Sequence, residues 1–311
     1  MEVAPGIHRI ESVLGPRPFS QYLLRDERSL LFDTGVKETP AEVILPFLDG
    51  LQPDLVLNSH ADVDHFGGNA AIRQAAPRAL FLAHELDVSW IESSESILRE
   101  RYGWYAEHGL AYQPEVFAWL RDAMGPDTPI DVHLRAGERI RLGPRLTVEV
   151  LHLPGHTAGH IGLWDPASRT AVVMDAVLGR GHLDLEQHVI HPPPYFDVAS
   201  YLGAARTLQS LAPQRLLTAH YDVMEGGQVD AFLADTIAFV EDAGLLVEHA
   251  LAERRELTLA QALELGDPQL GPFTSMPTEL AGSLRAHLRE LVREGRARED
   301  PSGLRWAAVD G

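Results

Sequence analysis

Residues 57–69 read LNSHADVDHFGGN and place His60, Asp62, Asp64 and His65 within six consecutive positions. Two imidazoles and two carboxylates at that density are rare in ordinary sequence. The stretch before them, DLVLNSH, reads as a buried strand that delivers His60 at its end. The stretch after them, GGNAAIRQAA, begins a helix behind two glycines. A strand end followed by a helix start is where α/β proteins place reactive groups.

Comparable groups recur at other strand ends. HLPGHTAGH puts His156 in a turn after an apolar strand, AVVMDAVLG puts Asp175 at the end of an apolar run, and LLTAH ends on His220. Burying the Asp175 charge without compensation costs several kcal/mol, so a metal or strong donor is needed beside it. Any one of these histidines alone reads as a hydrogen-bonded core residue. Four strand ends that each carry a ligand-type group are hard to explain by packing. The chain has no cysteine, which excludes disulfides, thiolate ligands and a cysteine nucleophile, so a metal site must be built from His, Asp and Glu.

Across 311 residues, 45% are apolar and 23% charged, the profile of an ordinary globular protein. The formal net charge of −19 repels phosphate backbones and anionic membranes. No apolar run follows an N-terminal basic segment, and none reaches about eighteen residues, so a cytoplasmic chain without membrane contact is expected.

The first two thirds alternate short apolar runs with helical stretches. SQYLLRD and RSLLFDTG read as strands, and TPAEVILPFLDGL as a helix with Thr39 as N-cap and Pro40 at its first position. Residues 89–124 look helical and are dense in aromatics, among them Trp90, Tyr102, Trp104, Tyr105, Phe117 and Trp119. Near Gly226–Gly227 the pattern changes. Residues 1–228 form one unit, and residues 229–311 a second, mostly helical one. Leu280, Leu284, Leu288 and Leu291 mark one helix face, Gly295 follows as a C-cap, and RARED and LRWAA form a hairpin around Pro301-Ser302-Gly303. Helix, helix, two-stranded wing is the outline of a winged helix, and Arg285, Arg289 and Arg293 share a face. Residues 231–311 nevertheless carry 8 Arg and no Lys against 14 Asp plus Glu, a balance of −6. A solvated charge stripe is the preferred reading over nucleic-acid binding.

HADVDHFGG, LPGHTAGHIGLW, VVMDAV and LLTAH, preceded by LLFDTG with Asp33 and Gly35, occur in an order and spacing that resembles the metallo-β-lactamase superfamily over residues 5 to 225. The tail resembles the small winged-helix extension of some superfamily hydrolases. The resemblance implies an αββα sandwich with two divalent metal ions at one edge. One ion would be held by His60, Asp62 and His156, the other by Asp64, His65 and His220, with Asp175 bridging both. A hydroxide held between the two cations is then the nucleophile, and Asp64 belongs to the catalytic set. Zinc is the expected metal. The family pattern has histidine where this chain has Asp62, and an oxygen donor adds negative charge and shifts preference toward iron or manganese. Family members with a carboxylate there include di-iron proteins that handle oxygen or nitric oxide. LPGHTAGHIGLW resembles the hydrolase form of the loop, and no flavin-type domain is appended, so hydrolysis is preferred.

The expected substrate is a small ester, thioester or lactone. A di-iron redox protein and a nucleic-acid phosphodiesterase stand as alternatives. The aromatic insert reads either as a lid over the metal edge or as a helical pair with its own core. Tyr221, next to His220, is a candidate for contact with a developing oxyanion, with plain packing preferred. His84 reads as a strand-end histidine, and His160 is placed to hydrogen-bond near the His156 loop. His182, His188 and His191 match no ligand position but are placed to line the pocket. The leucine face of residues 279–294 must be buried against the catalytic region or against a second copy in a homodimer.

Overall fold

The computed structural model describes residues 1–309. Its layout follows from strands that are buried on both faces. Leu30, Phe32 and Leu57 face one apolar cluster, and Leu31 and Val56 face another. These residues belong to Ser29–Phe32 and Leu55–Leu57, which pair in parallel with Leu30 opposite Leu55 and Phe32 opposite Leu57. Parallel strands of this kind need cover on both sides.

Among the described residues, seven strands form the first sheet. They lie in the order Glu2–Ala4, Ile7–Leu14, Arg17–Arg25, Ser29–Phe32, Leu55–Leu57, Leu80–His84 and Val132–Leu134. Six form the second, in the order Met224–Glu225, Arg215–Leu217, Thr170–Val172, Ile161–Asp165, Thr147–His152 and Arg139–Arg141. Phe19, Tyr22, Leu24, Phe32 and Leu57 of the first sheet meet Val148, Val150, Ile161, Leu163, Val172 and Leu217 of the second. Helices cover the outer faces, with Ile44, Leu48 and Ile72 on one side and Ala204, Ala205 and Leu208 on the other. This is the αββα sandwich that the motifs imply.

Register places the reactive groups. Thr170–Val172 and Arg215–Leu217 also pair in parallel, Val172 opposite Leu217. His60, Asp175 and His220 each lie three residues beyond their strands' last residues, Leu57, Val172 and Leu217. Equal overhangs from parallel strands bring the three side chains to one edge of the sandwich. Met174, just before Asp175, sits at φ 47°, a left-handed conformation that costs a non-glycine residue free energy and persists only where its surroundings enforce it. The two glycines after His65 are needed for close approach. A Cβ on Gly67 would lie 2.2 Å from the Ala123 carbonyl oxygen, and one on Gly68 would lie 2.3 Å from that of Thr34.

Local expectations are met unevenly. The insert is a string of short pieces, Val88–Ile91, Ser94–Ile97, Leu98–Tyr102, Trp104–His108 and Pro114–Ala123. Thr39 does not cap the next helix, because its hydroxyl instead accepts from the Val36 N–H at 3.1 Å.

The C-terminal region holds helices Gly227–Arg254, Leu259–Leu270 and Leu280–Arg293. RARED and LRWAA do pair, as Ala297–Glu299 and Arg305–Ala308, and Glu256–Thr258 adds a third strand that the sequence pattern did not announce. Leu280, Leu284 and Leu288 are fully buried and Leu291 nearly so, in one cluster with Tyr195 and Tyr201. The chain itself therefore covers the leucine face. The docking has polar pins: Ser283 Oγ donates to the Pro193 carbonyl at 2.9 Å and accepts from the Tyr195 N–H at 3.2 Å.

His287 lies in this seam, 2.7 Å from the Tyr195 hydroxyl, and burial pushes its imidazole down to about 4. The unfolded chain takes up this proton near pH 6.5, whereas the folded chain resists until about pH 4. The unfolded state binds more protons across that window, so stability falls as pH falls from 6.5 to 4. The total for this group is about 3 kcal/mol. We predict that His287→Gln flattens the pH dependence of urea unfolding in that window by close to one proton. An unchanged slope would contradict the burial of this ring.

Candidate metal centre

Each of four histidines at the sandwich edge has its Nδ1 beside a fixed acceptor. His65 Nδ1 lies 2.6 Å from Asp33 Oδ2, His156 Nδ1 2.7 Å from the Pro194 carbonyl, and His220 Nδ1 3.0 Å from the Pro18 carbonyl. His60 Nδ1 lies 2.9 Å from Ser59 Oγ, whose own proton goes to Asp33 Oδ2 at 2.7 Å. Each Nδ1 therefore carries the proton and donates it. Each Nε2 is left with a lone pair pointing away from its support, the arrangement in which an imidazole binds a metal.

These nitrogens converge with carboxylates. His60 Nε2 and His156 Nε2 are 3.1 Å apart, and His156 Nε2 is 3.0 Å from Asp62 Oδ2. Asp175 Oδ2 lies 3.5 Å from His65 Nε2 and 3.3 Å from His220 Nε2, and Asp64 oxygens lie 3.9 Å from both. Ligands about 2.1 Å from one tetrahedral ion would stand roughly 3.4 Å from each other. His65 Nε2, His220 Nε2 and Asp175 Oδ1 are buried with no hydrogen-bond partner among the described residues. Imidazole nitrogens and carboxylates facing each other in a largely buried pocket fit a cation. His60, Asp62 and His156 form one group that could hold an ion, Asp64, His65 and His220 form another, and Asp175 groups with His60 and His65.

The electrostatics of the pocket favour positive charge among its carboxylates. Burial would lower the His65 imidazole, but Asp175, Asp33 and Asp64 push it well above its ordinary range. Burial and the neighbouring imidazoles hold His60 well below it. Burial would raise Asp175, but His220 and His65 hold it well below the usual carboxylate range.

Asp62 has a second set of partners. Its Oδ1 accepts from the Tyr102 hydroxyl at 2.8 Å and lies 3.1 Å from Arg101 Nε, and its Oδ2 accepts from Arg101 Nη2 at 3.2 Å. Burial would raise this carboxyl, but Arg101, His156 and Tyr102 hold it below the usual range. Arg101 is itself buried, and its Nη2 donates to Glu279 Oε2 at 3.1 Å. Glu279 also accepts from the Tyr105 hydroxyl at 2.9 Å and from that of Tyr112. Glu279 lies in the C-terminal region, so an Asp62–Arg101–Glu279 chain joins that region to the centre through the insert. Arg101 offsets the negative charge that Asp62 adds.

Other positions sort plainly. Asp87 accepts from the Ala61 N–H at 2.9 Å, the Gly159 N–H at 2.7 Å and the Thr157 hydroxyl at 2.6 Å, and so ties the His60 and His156 loops together. His160 stacks on His60 at 4.5 Å, and its ring nitrogens have no hydrogen-bond partner among the described residues. Tyr221 is not brought to the centre: its hydroxyl donates to the Leu178 and Gly181 carbonyls, and its ring meets Phe232. His84 stacks on His152 away from the cluster, and His188 is exposed beside Asp184. His182 and His191 do line the cavity over the centre, together with Arg17, Arg101, Trp119, Leu120 and Met276. Arg101 and Glu279 lie in no motif, and only the density of buried aromatics around them hinted that the insert was special.

Residues 14–220 match the family model described as Metallo-beta-lactamase superfamily. The chain is 26% identical over 225 residues to the acyl-coenzyme A thioesterase MBLAC2 of Homo sapiens, a match covering 68% of each chain. It is 27% identical over 176 residues to a hydroxyacylglutathione hydrolase of Fuscovulum blasticum, covering 55% of this chain and 65% of that one. The crystal structure of a metallo-beta-lactamase family protein from Thermus thermophilus superposes with a TM-score of 0.75 at 18% identity. That match covers 99% of this chain and 100% of the other, and at this identity it speaks for the fold alone.

Removing Arg101 leaves Asp62 and Glu279 buried without a counter-charge. We predict that Arg101→Met lowers unfolding stability of the metal-free protein by about 3–5 kcal/mol. Added zinc should recover part of the loss, since a cation beside His60 and His156 takes up Asp62. Urea unfolding with and without zinc measures both, and equal stability of variant and parent would refute the pairing.

Proposed function

We infer the chemistry from family and site together: the chain belongs to the metallo-β-lactamase superfamily and is a metal-dependent hydrolase. We propose that it hydrolyses small acyl compounds, thioesters first, with esters and lactones next. In this reading His60, Asp62 and His156 hold one divalent ion, Asp64, His65 and His220 hold a second, and Asp175 reaches both. Zinc is the first candidate, and iron or manganese follow from the oxygen of Asp62. The observation that carries the reading is the convergence of four Nδ1-anchored imidazoles and three carboxylates in one buried cluster.

When bound, such ions lower the pKa of water and polarise a carbonyl oxygen. The chain's own groups do the rest. Asp33, Ser59 and the Pro18 and Pro194 carbonyls hold each imidazole in one tautomer and one orientation. Trp119, Leu120 and Met276 supply apolar lining to the cavity. The cavity over the centre is small, about 40 Å³, and opens to solvent. Acyl-coenzyme A and hydroxyacylglutathione, named for the two relatives, are both thioesters, and this supports the order of preference.

The redox alternative draws on the oxygen donor at Asp62, whose Arg101 partner is shared with Glu279. The phosphodiesterase alternative needs free cations in the tail. Of the three stripe arginines, Arg285 lies over the Trp104 ring and Arg293 bonds Asp197 and Glu290, while Arg289 is exposed.

We predict about two metal ions per chain in protein as purified and turnover of at least one acyl thioester in a panel with lactone, ester and phosphodiester probes. Asp175→Ala should lose metal and activity together. Phosphodiester turnover without acyl turnover, or full metal content in Asp175→Ala, would overturn the reading.

A further inference from the structure

His182 belongs to no ligand motif, yet it stands over the centre. The short strand His182–Leu183 pairs antiparallel with Val189–His191, and His182 sits opposite His191. The His182 ring is buried and lies 4.2 Å from the His220 ring. A nitrogen of His182, a carboxylate oxygen of Asp175 and a nitrogen of His220 lie within 4.8 Å of one another. Distance alone would make His182 one more metal ligand.

Its partner argues against that. Arg17, itself only 8% exposed, has Nη1 3.1 Å from His182 Nδ1. A guanidinium has donors and no acceptor, so Nδ1 must accept with its lone pair. An imidazole that accepts at Nδ1 carries its proton on Nε2. This is the reverse of His60, His65, His156 and His220, whose Nδ1 atoms face acceptors and whose Nε2 lone pairs are free for a cation. An Nε2–H has no lone pair to give a metal. His182 Nε2 is buried with no hydrogen-bond partner among the described residues, in a side chain that lines the cavity with Asp64, Asp175 and His156. A buried donor without an acceptor is costly unless something in use supplies one.

We propose that His182 is a catalytic hydrogen-bond donor, set as the Nε2–H tautomer by Arg17, that binds the acyl oxygen of the substrate as negative charge develops there. The proton stays on Nε2 throughout, and the bond strengthens as the oxygen gains charge. Preorganised donors of this kind act in a dry site, and loss of one costs about 10²-fold in kcat. Arg17 is a positioning residue that acts through His182. The assignment of an acyl oxygen rests on the acyl-hydrolase reading; the tautomer and the donor role do not.

The test compares His182→Leu, which removes the donor, with His182→Gln, whose amide nitrogen can replace Nε2–H. Both should keep the parent's metal content. With a thioester that the parent turns over, His182→Leu should lose about 10²-fold in kcat with little change in KM, and His182→Gln should restore at least tenfold of that. Independently of turnover, nitrogen-15 NMR of the zinc-loaded protein should show the His182 proton on Nε2. Butyrate, a product-type anion, should bind His182→Leu about tenfold more weakly than it binds the parent or His182→Gln. Loss of a metal in His182→Leu, a proton on Nδ1, or unchanged butyrate affinity would overturn the proposal. A parent that turns over no acyl probe while the NMR and butyrate results hold would remove the acyl reading and leave the donor in place.

Discussion

The structure depends on concentrating like groups where they cannot be solvated. Lone pairs of His60 and His156 face each other at 3.1 Å, and Asp62, Asp64 and Asp175 crowd the same pocket. In a dry interior this arrangement is repulsive without positive charge, and each element around it prevents the side chains from turning away. Asp33 is the deepest of these restraints. Fully buried at φ 66°, it accepts from the Ser59 N–H, from the Ser59 hydroxyl and from His65. One carboxylate thereby fixes the loop that carries His60 and the ring of His65.

The second organising interaction crosses the molecule. Helix Leu280–Arg293 docks through Ser283 on Pro193 and Tyr195, and the next carbonyl, Pro194, holds His156. Just before that helix, Glu279 holds Arg101, and Arg101 holds Asp62. The C-terminal region thus reaches two residues of the candidate centre, His156 and Asp62, by two routes. A segment that reads in sequence as an appendage packs against the candidate site.

The ligand-type residues were legible because strand ends and motif spacing are local properties. His60, Asp62, Asp64, His65, His156, Asp175 and His220 all come to one edge once parallel register is imposed. Arg101 and Glu279 were not legible, because 178 positions separate them and nothing local in either distinguishes a buried pair from a solvated one. The second set of partners around Asp62 was not legible either, since Arg101 lies 39 positions away. Adjacency to His220 allows two readings of Tyr221, with packing preferred, and its hydroxyl goes to the Leu178 and Gly181 carbonyls. The role open to His182 depends on Arg17, which lies 165 positions away.

The account stands or falls on where cations sit among these side chains. Anomalous diffraction from crystals of the metal-loaded protein, recorded at the zinc and iron edges, measures this directly. The account predicts two peaks, one bounded by His60, Asp62 and His156 and the other by Asp64, His65 and His220, with Asp175 between them and His182 outside both coordination spheres. A single peak, or Asp62 still turned wholly to Arg101 with an ion bound beside it, would contradict it.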